Sequence, residues 1–230
     1  ELEQGELVGL IGPNGAGKTT VFNLLTGVYV PTEGEVFLSD KDITGQKPYQ
    51  ITAQGLARTF QNIRLFDSLS VLDNVKIANH WHGKYPLVDA FLRLKGFHNG
   101  EEKMTQDAVE LLKIFYLEDK KDELAKNLPY GEQRRLEIVR ALAAKPKILL
   151  LDEPAAGMNP QETQELMDLI RKVQNLYNLT ILLIEHDMSL VMGICERIYV
   201  LDYGRIIAHG TPDEIKNNPR VIQAYLGEEA

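Results

Sequence analysis

Apolar positions along the chain come in short, sharply bounded blocks, and the first, Leu7-Val8-Gly9-Leu10-Ile11, predicts a buried strand. A glycine-rich turn follows, then a predicted helix over Lys18–Thr26 that Gly27 ends. Glu35–Leu38 alternates like a short strand between the breakers Pro31 and Gly34. Residues 71–128 give several helical stretches and few strand signals. Ser70 stands where it can cap the first of them, with Asp73 at the third helical position, and Glu101–Phe115 forms another. From residue 147 the period alternates. Strands are predicted at Ile148–Asp152, Thr180–Glu185, Arg197–Leu201 and Arg205–Ala208, with helices at Pro160–Leu176 and Met188–Cys195. Asn159-Pro160-Gln161-Glu162 and Thr211-Pro212-Asp213-Glu214 both read as capping boxes with proline in the first turn. Strands alternating with helices imply an α/β core with a parallel sheet covered on both faces. The expected organisation is a discontinuous core, 1–70 with 135–230, interrupted by a helical subdomain at 71–134.

Composition narrows the function classes. At 44% hydrophobic and 25% charged residues the chain is an ordinary globular sequence. Its net charge of −8 offers no long-range attraction to nucleic acid, so no nucleic-acid partner is expected. A single cysteine, Cys195, excludes an intrachain disulfide and fits a reducing compartment. No uncharged apolar run approaches the roughly 20 residues that cross a bilayer, so any service to a membrane is expected from its surface, through a partner. The chain starts at Glu1 without a signal sequence and is expected to begin partway into a domain.

The chemistry enters with Gly12-Pro-Asn-Gly-Ala-Gly-Lys18-Thr19-Thr20, which matches G-x-x-x-x-G-K-[ST] between a predicted strand and a predicted helix. Glycines let successive N–H groups turn inward around phosphates, and the helix start adds its positive dipole end. Asn14, Gly15, Ala16, Gly17, Lys18, Thr19 and Thr20 are thus the candidate ATP-phosphate residues. Lys18 supplies a point charge, and the Thr19 hydroxyl is a candidate Mg²⁺ ligand. Asp152 ends a predicted strand and is placed to hold Mg²⁺ through water. Glu153, next in the chain, points elsewhere and can polarise a water attacking the γ-phosphate.

With these residues in place the chain resembles the ABC ATPase family, and the resemblance runs its whole length. Gln61, in Arg58-Thr-Phe-Gln61, resembles the family's Q-loop glutamine, which reaches Mg²⁺ and the attacking water. His186 resembles the switch histidine at the γ-phosphate, and Ala156–Pro160 occupies the D-loop. Leu128-Pro-Tyr-Gly-Glu-Gln-Arg134 stands where the L-S-G-G-Q signature falls, so the resemblance implies that Pro129, Tyr130, Gly131 and Glu132 act in trans on a partner's nucleotide. Departures stand out in two motifs: in the signature Pro129 replaces the serine and Tyr130 the first glycine, and in the D-loop Asn159 replaces the aspartate. Both, with Ile184-Glu-His-Asp-Met188 and the segment from Gly210 to Glu228, are similar to one ATP-binding subunit of bacterial branched-chain amino-acid importers. The resemblance implies a P-loop ABC cassette: a mostly parallel sheet flanked by helices, an inserted helical subdomain and a small antiparallel β part near the N-terminus. It also implies an ATPase that uses ATP and Mg²⁺ in a nucleotide-sandwich dimer. Its expected partners are a second ATP-binding subunit (a heterodimer, with a homodimer as the alternative), transmembrane permease subunits and, indirectly, a periplasmic or extracellular substrate-binding protein. Its expected place is the cytoplasmic face of a prokaryotic cell membrane. The adenine-stacking aromatic of the family is expected upstream of Glu1.

Urea or amide importers and the lipopolysaccharide-export ATPase share parts of these motifs and stay open as alternatives. So does a soluble non-transport ABC ATPase, although one phosphate loop and a short insert fit it poorly. His80, His82 and His98 read as surface histidines rather than metal ligands. The 84–100 segment reads as a short helix packed on its own lobe, with a membrane-surface helix as the other option.

Overall fold

The computed structural model describes residues 1–79 and 95–226. His80, His82 and most of the 84–100 segment lie outside these residues. The described strands are β1 Leu7–Ile11, β2 Phe37–Leu38, β3 Lys41–Asp42, β4 Leu56–Arg58, β5 Ile148–Asp152, β6 Thr180–Ile184, β7 Arg197–Asp202 and β8 Arg205–Gly210. The described α-helices are α1 Lys18–Leu25, α2 Pro48–Ala53, α3 Val71–Asn79, α4 Lys95–Ile114, α5 Tyr130–Ala143, α6 Pro160–Tyr177, α7 Met188–Ile194, α8 Pro212–Lys216 and α9 Pro219–Leu226.

The chain divides into two compact units, Glu1–Gln61 with Lys147–Ala230, and Asn62–Pro146. The second is wider at both ends than the 71–134 segment read from the sequence. The first holds a six-stranded sheet in the order β4-β5-β6-β1-β7-β8, parallel except for the closing β7–β8 pair. The strands β1 and β6 are buried at every position, which requires cover on both faces. On one face Val8, Leu10, Leu150, Leu182 and Ile184 share a core with Phe22 of α1, Ile51 of α2, and Leu38 and Ile43 near the small antiparallel pair β2–β3. Gly9 faces the other way. A Cβ there would lie 3.0 Å from Val191 Cγ1 and 3.1 Å from Cys195 Sγ, so its absence lets α7 approach the sheet. Burial pushes the Cys195 thiol up to about 12, against a smaller downward pull from Arg171, which leaves it unreactive as a nucleophile.

Both predicted capping boxes form: Asn159 Oδ1 and Thr211 Oγ1 accept from the amides of Glu162 and Glu214, whose carboxylates reach back to the cap residues. The strand expected at Glu35–Leu38 is shorter. Val36 donates its N–H to the Thr44 hydroxyl at 2.8 Å instead of to a strand partner, and regular pairing begins at Phe37. Strand β6 stops at Ile184, one residue early, where its pairing with β5 ends, and the Glu185 carboxylate that follows accepts from the Ala155 amide.

In the second unit α3, α4 and α5 pack together. Ser70 Oγ accepts from the Asp73 amide at 3.0 Å, the cap that the sequence predicts. Arg134 is wholly buried and pairs with Glu137 at 2.9 Å, and Glu137 also accepts from the Arg64 amide. Removing one member of such a buried pair costs about 3–5 kcal/mol, because the other charge stays buried.

Candidate active site

The parallel strands β4, β5, β6 and β1 run in one direction, so their carboxyl ends share one edge of the sheet. Each end delivers part of the site. The phosphate loop leaves β1, Asp152 and Glu153 close β5, Glu185 and His186 follow β6, and Gln61 lies three residues beyond β4.

The loop is shaped by two glycines. Gly17 sits in the left-handed region, φ 103°, as the residue before α1, and lets the chain turn into the helix. At Gly12 a Cβ would lie 2.0 Å from the carbonyl oxygen of Leu201, so only glycine fits. From the other side the Gly204 amide donates to Ala16 O at 2.8 Å. Asn14, Gly15, Thr19 and Thr20 are exposed. Lys18 folds over the loop, and its Nζ donates to Gly12 O at 2.6 Å and Pro13 O at 3.0 Å. Burial lowers the Lys18 ammonium from its ordinary value, while the charges of Glu153 and Asp152 act to raise it. A half-desolvated cation at the mouth of a glycine loop is suited to an anion.

Glu153 is the meeting point of the site. Gln61 Nε2 donates to its Oε2 at 2.8 Å, and His186 Nδ1 lies 3.7 Å from its Oε1. Its backbone is left-handed, φ 46°, although its amide still donates to Ile184 O at 2.9 Å and so extends the β5–β6 ladder. A non-glycine residue held there costs on the order of 1–3 kcal/mol, strain of the kind that gathers at functional sites. The structure therefore brings Lys18, Asp152, Glu153, Gln61 and His186 to one edge of one unit.

Pro129, Tyr130, Gly131 and Glu132 lie in the second unit, at the start of α5. Pro129 precedes the helix with φ −54° and ψ 153°, and its carbonyl accepts from the Glu132 and Gln133 amides at 3.0 Å each. Glu132 pairs with Lys120 at 2.6 Å.

Three residues that sequence reasoning left without a role belong to the first unit's site. Arg58 donates to Asp152, Asn23 of α1 accepts from Arg58, and the buried Glu185 accepts from Ala155. Burial raises the Glu185 carboxyl, against the lowering effect of the Ala155 and His186 amides. Arg58 stood in the quoted Arg-Thr-Phe-Gln run, yet its partners are distant in sequence, so no local pattern pointed to it.

No group of three or more His, Cys, Asp or Glu side chains forms a metal cage among the described residues. The oxygens that the sequence offers for Mg²⁺ at Thr19, Gln61 and Asp152 are hydroxyl, amide and carboxylate, a sparse, hard donor set. Such a set suits Mg²⁺, which keeps water and phosphate in most of its shell.

Comparison with known proteins places the chain in a family. Residues 1–156 match the ABC transporter family, and residues 205–230 match the family of branched-chain amino acid ATP-binding cassette transporters. The chain is 50% identical over 228 residues to the high-affinity branched-chain amino acid transport ATP-binding protein LivG of Salmonella typhimurium, covering 99% of this chain and 89% of that protein. Among solved structures it is similar to the ADP conformation of MJ1267, an ATP-binding cassette of an ABC transporter, with TM-score 0.84, 32% identity, and 98% and 89% of the two chains covered. It is also similar to MJ0796, an ATP-binding cassette solved as a dimer in a post-hydrolysis state bound to ADP and Pi, with TM-score 0.77, 27% identity, and 92% and 88% covered. A phosphate loop followed along the chain by Asp152 and Glu153, on a cassette fold shared over most of its length with these proteins, makes this chain a nucleotide-binding ATPase of the ABC transporter family.

Proposed function

We propose that this chain is one of two ATP-hydrolysing subunits that together drive a branched-chain amino-acid importer from the cytoplasmic face of a prokaryotic membrane. The observation that carries the hydrolytic reading is the convergence on Glu153 of Gln61, His186 and the charge of Lys18. In this reading the amides of Asn14–Thr20 and the Lys18 ammonium hold the ATP phosphates. Thr19, Gln61 and Asp152 would hold Mg²⁺, which when bound would neutralise phosphate charge. Glu153 accepts the proton of the attacking water, which Gln61 helps to orient, and His186 donates to the γ-phosphate. Pro129, Tyr130, Gly131 and Glu132 face the nucleotide of the partner subunit.

The likeness to LivG and the family match over residues 205–230 support the substrate class. Among the described residues no helix is long and apolar enough to cross a membrane, which fits a peripheral subunit carried by separate permease chains. The test is reconstitution of this chain with a second ATP-binding subunit, permease subunits and a substrate-binding protein in liposomes. ATP-dependent uptake of leucine, isoleucine or valine is expected. Uptake of urea or another solute, with none of these three amino acids, would overturn the substrate assignment.

The proposal also predicts unequal sites in a heterodimer. Pro129 has neither hydroxyl nor backbone N–H to offer a γ-phosphate. The site built on this chain's Lys18 and Glu153 meets the partner's signature, whereas the opposite site meets Pro129. Where the partner keeps a serine, the opposite site lacks one hydrogen bond to a charged group, worth about 1.5–3 kcal/mol. If that bond acts in the transition state, the opposite site turns over roughly ten- to a hundred-and-fifty-fold more slowly. Single-turnover rates of the two half-inactivated dimers measure this directly, and equal rates would remove the asymmetry.

A further inference from the structure

The Asp152 carboxylate is not open to a metal alone. Arg58 Nη2 donates to its Oδ2 at 2.7 Å, and the two side chains are only 7% and 6% exposed. Arg58 Nη1 donates to Asn23 Oδ1 at 2.7 Å, on the helix that begins with Lys18. The guanidinium lies 5.3 Å from the centre of the Phe22 ring and 5.1 Å from that of Phe60. Arg58 Nε is buried with no hydrogen-bond partner among the described residues. A buried cation with an unsatisfied donor is costly, and packing alone gives no reason for it.

The charges around it supply a reason. Lys18 feels the fields of both Glu153 and Asp152. Without Arg58, the buried Asp152 carboxylate would compete with phosphate for Lys18 and repel an incoming polyanion. Nucleotide would then bind more weakly in the absence of a metal ion.

We propose that Arg58 is a positioning residue that serves as the resident counter-ion of Asp152, keeping the phosphate site receptive to nucleotide before a metal ion arrives. This rests on the reading of Asp152 as the metal-side carboxylate. In the absence of metal the net charge of the 58/152 pair sets how well the site receives a nucleotide, whereas bound Mg²⁺ makes that charge matter less.

The experiment measures ADP affinity of the purified chain in Mg²⁺ and in EDTA, for wild type, Arg58→Lys, Arg58→Gln, Asp152→Asn and the double variant Arg58→Gln/Asp152→Asn. In EDTA the affinities are expected to rank by pair charge. Asp152→Asn binds tightest. Wild type, Arg58→Lys and the double variant fall together, and Arg58→Gln is weakest. Each step is about tenfold, the order for one unit charge acting across a partly solvated site. Rescue of Arg58→Gln by a second substitution that removes the opposing charge is an effect that loss of packing would not produce. If Arg58→Gln does not fold, comparison of Asp152→Asn with the double variant still isolates the charge of Arg58. Equal EDTA affinities in that comparison would overturn the proposal. An Asp152→Asn protein with the wild-type ratio of Mg²⁺ to EDTA affinity would instead overturn the reading of Asp152 itself.

Discussion

Glu153→Gln is expected to lower ATP turnover about 10²–10⁴-fold, the range for losing a general base, while ATP still binds. The substitution keeps the length and planarity of the side chain. Its amide oxygen can still accept from Gln61 Nε2, the bond that measures 2.8 Å in the native protein. Two properties are lost. The amide cannot take a proton from water, and the negative charge facing His186 and Lys18 disappears. The second loss favours a bound polyanion, so a nucleotide-filled state should persist longer than in the wild type. The left-handed backbone at this position places no new demand on glutamine, because its steric requirements match those of glutamate. Single-turnover hydrolysis at saturating ATP is the measurement. A fall of less than about threefold would mean that the proton is accepted elsewhere.

Lys18→Ala should weaken ATP binding by at least about 10²-fold. Hydrogen bonds to charged groups are worth about 1.5–3 kcal/mol each, and an ammonium reaching two phosphates makes more than one. The effect has a second source. Nζ also donates to the carbonyls of Gly12 and Pro13, so the lysine ties down the loop that carries it. Lys18→Arg separates the two. It keeps the charge but its bulk disturbs the tie, so it should recover only part of the affinity. Titration with a fluorescent ATP analogue measures both, and unchanged affinity in Lys18→Ala would remove Lys18 from the phosphate site.

Much of the first unit could be read from local pattern, for identifiable reasons. The strands β1, β5 and β6 are continuous apolar blocks because both of their faces are covered. The helices α6 and α8 announce themselves by side chains that cap their own first turns. The phosphate loop is legible because its function needs small residues at fixed offsets. What stayed hidden is non-local or very short. Strands β2 and β3 have two residues each, and β4 three, too few for a period to show. The helix α2 begins at Pro48 behind Lys47, which is not one of the usual capping residues. Arg58 finds its carboxylate 94 positions away in sequence, and Glu185 finds the Ala155 amide 30 positions away. A linear scan sees the charges of these residues but not whom they answer to.

The contact between Gly12 and Leu201 limits how the site can change by mutation. The obstruction at position 12 is a carbonyl oxygen, an atom that every amino acid contributes identically. Exchanging Leu201 for a smaller residue therefore gives no room for a methyl group at position 12. Suppressors of a Gly12 substitution would have to shift the main chain of β7 itself, which pairs with β1 over Arg197–Val200 and with β8 over Ile198–Asp202. Position 12 is thus closed to single-step compensation, in a way that a glycine crowded by side chains, such as Gly9 against Val191 and Cys195, is not.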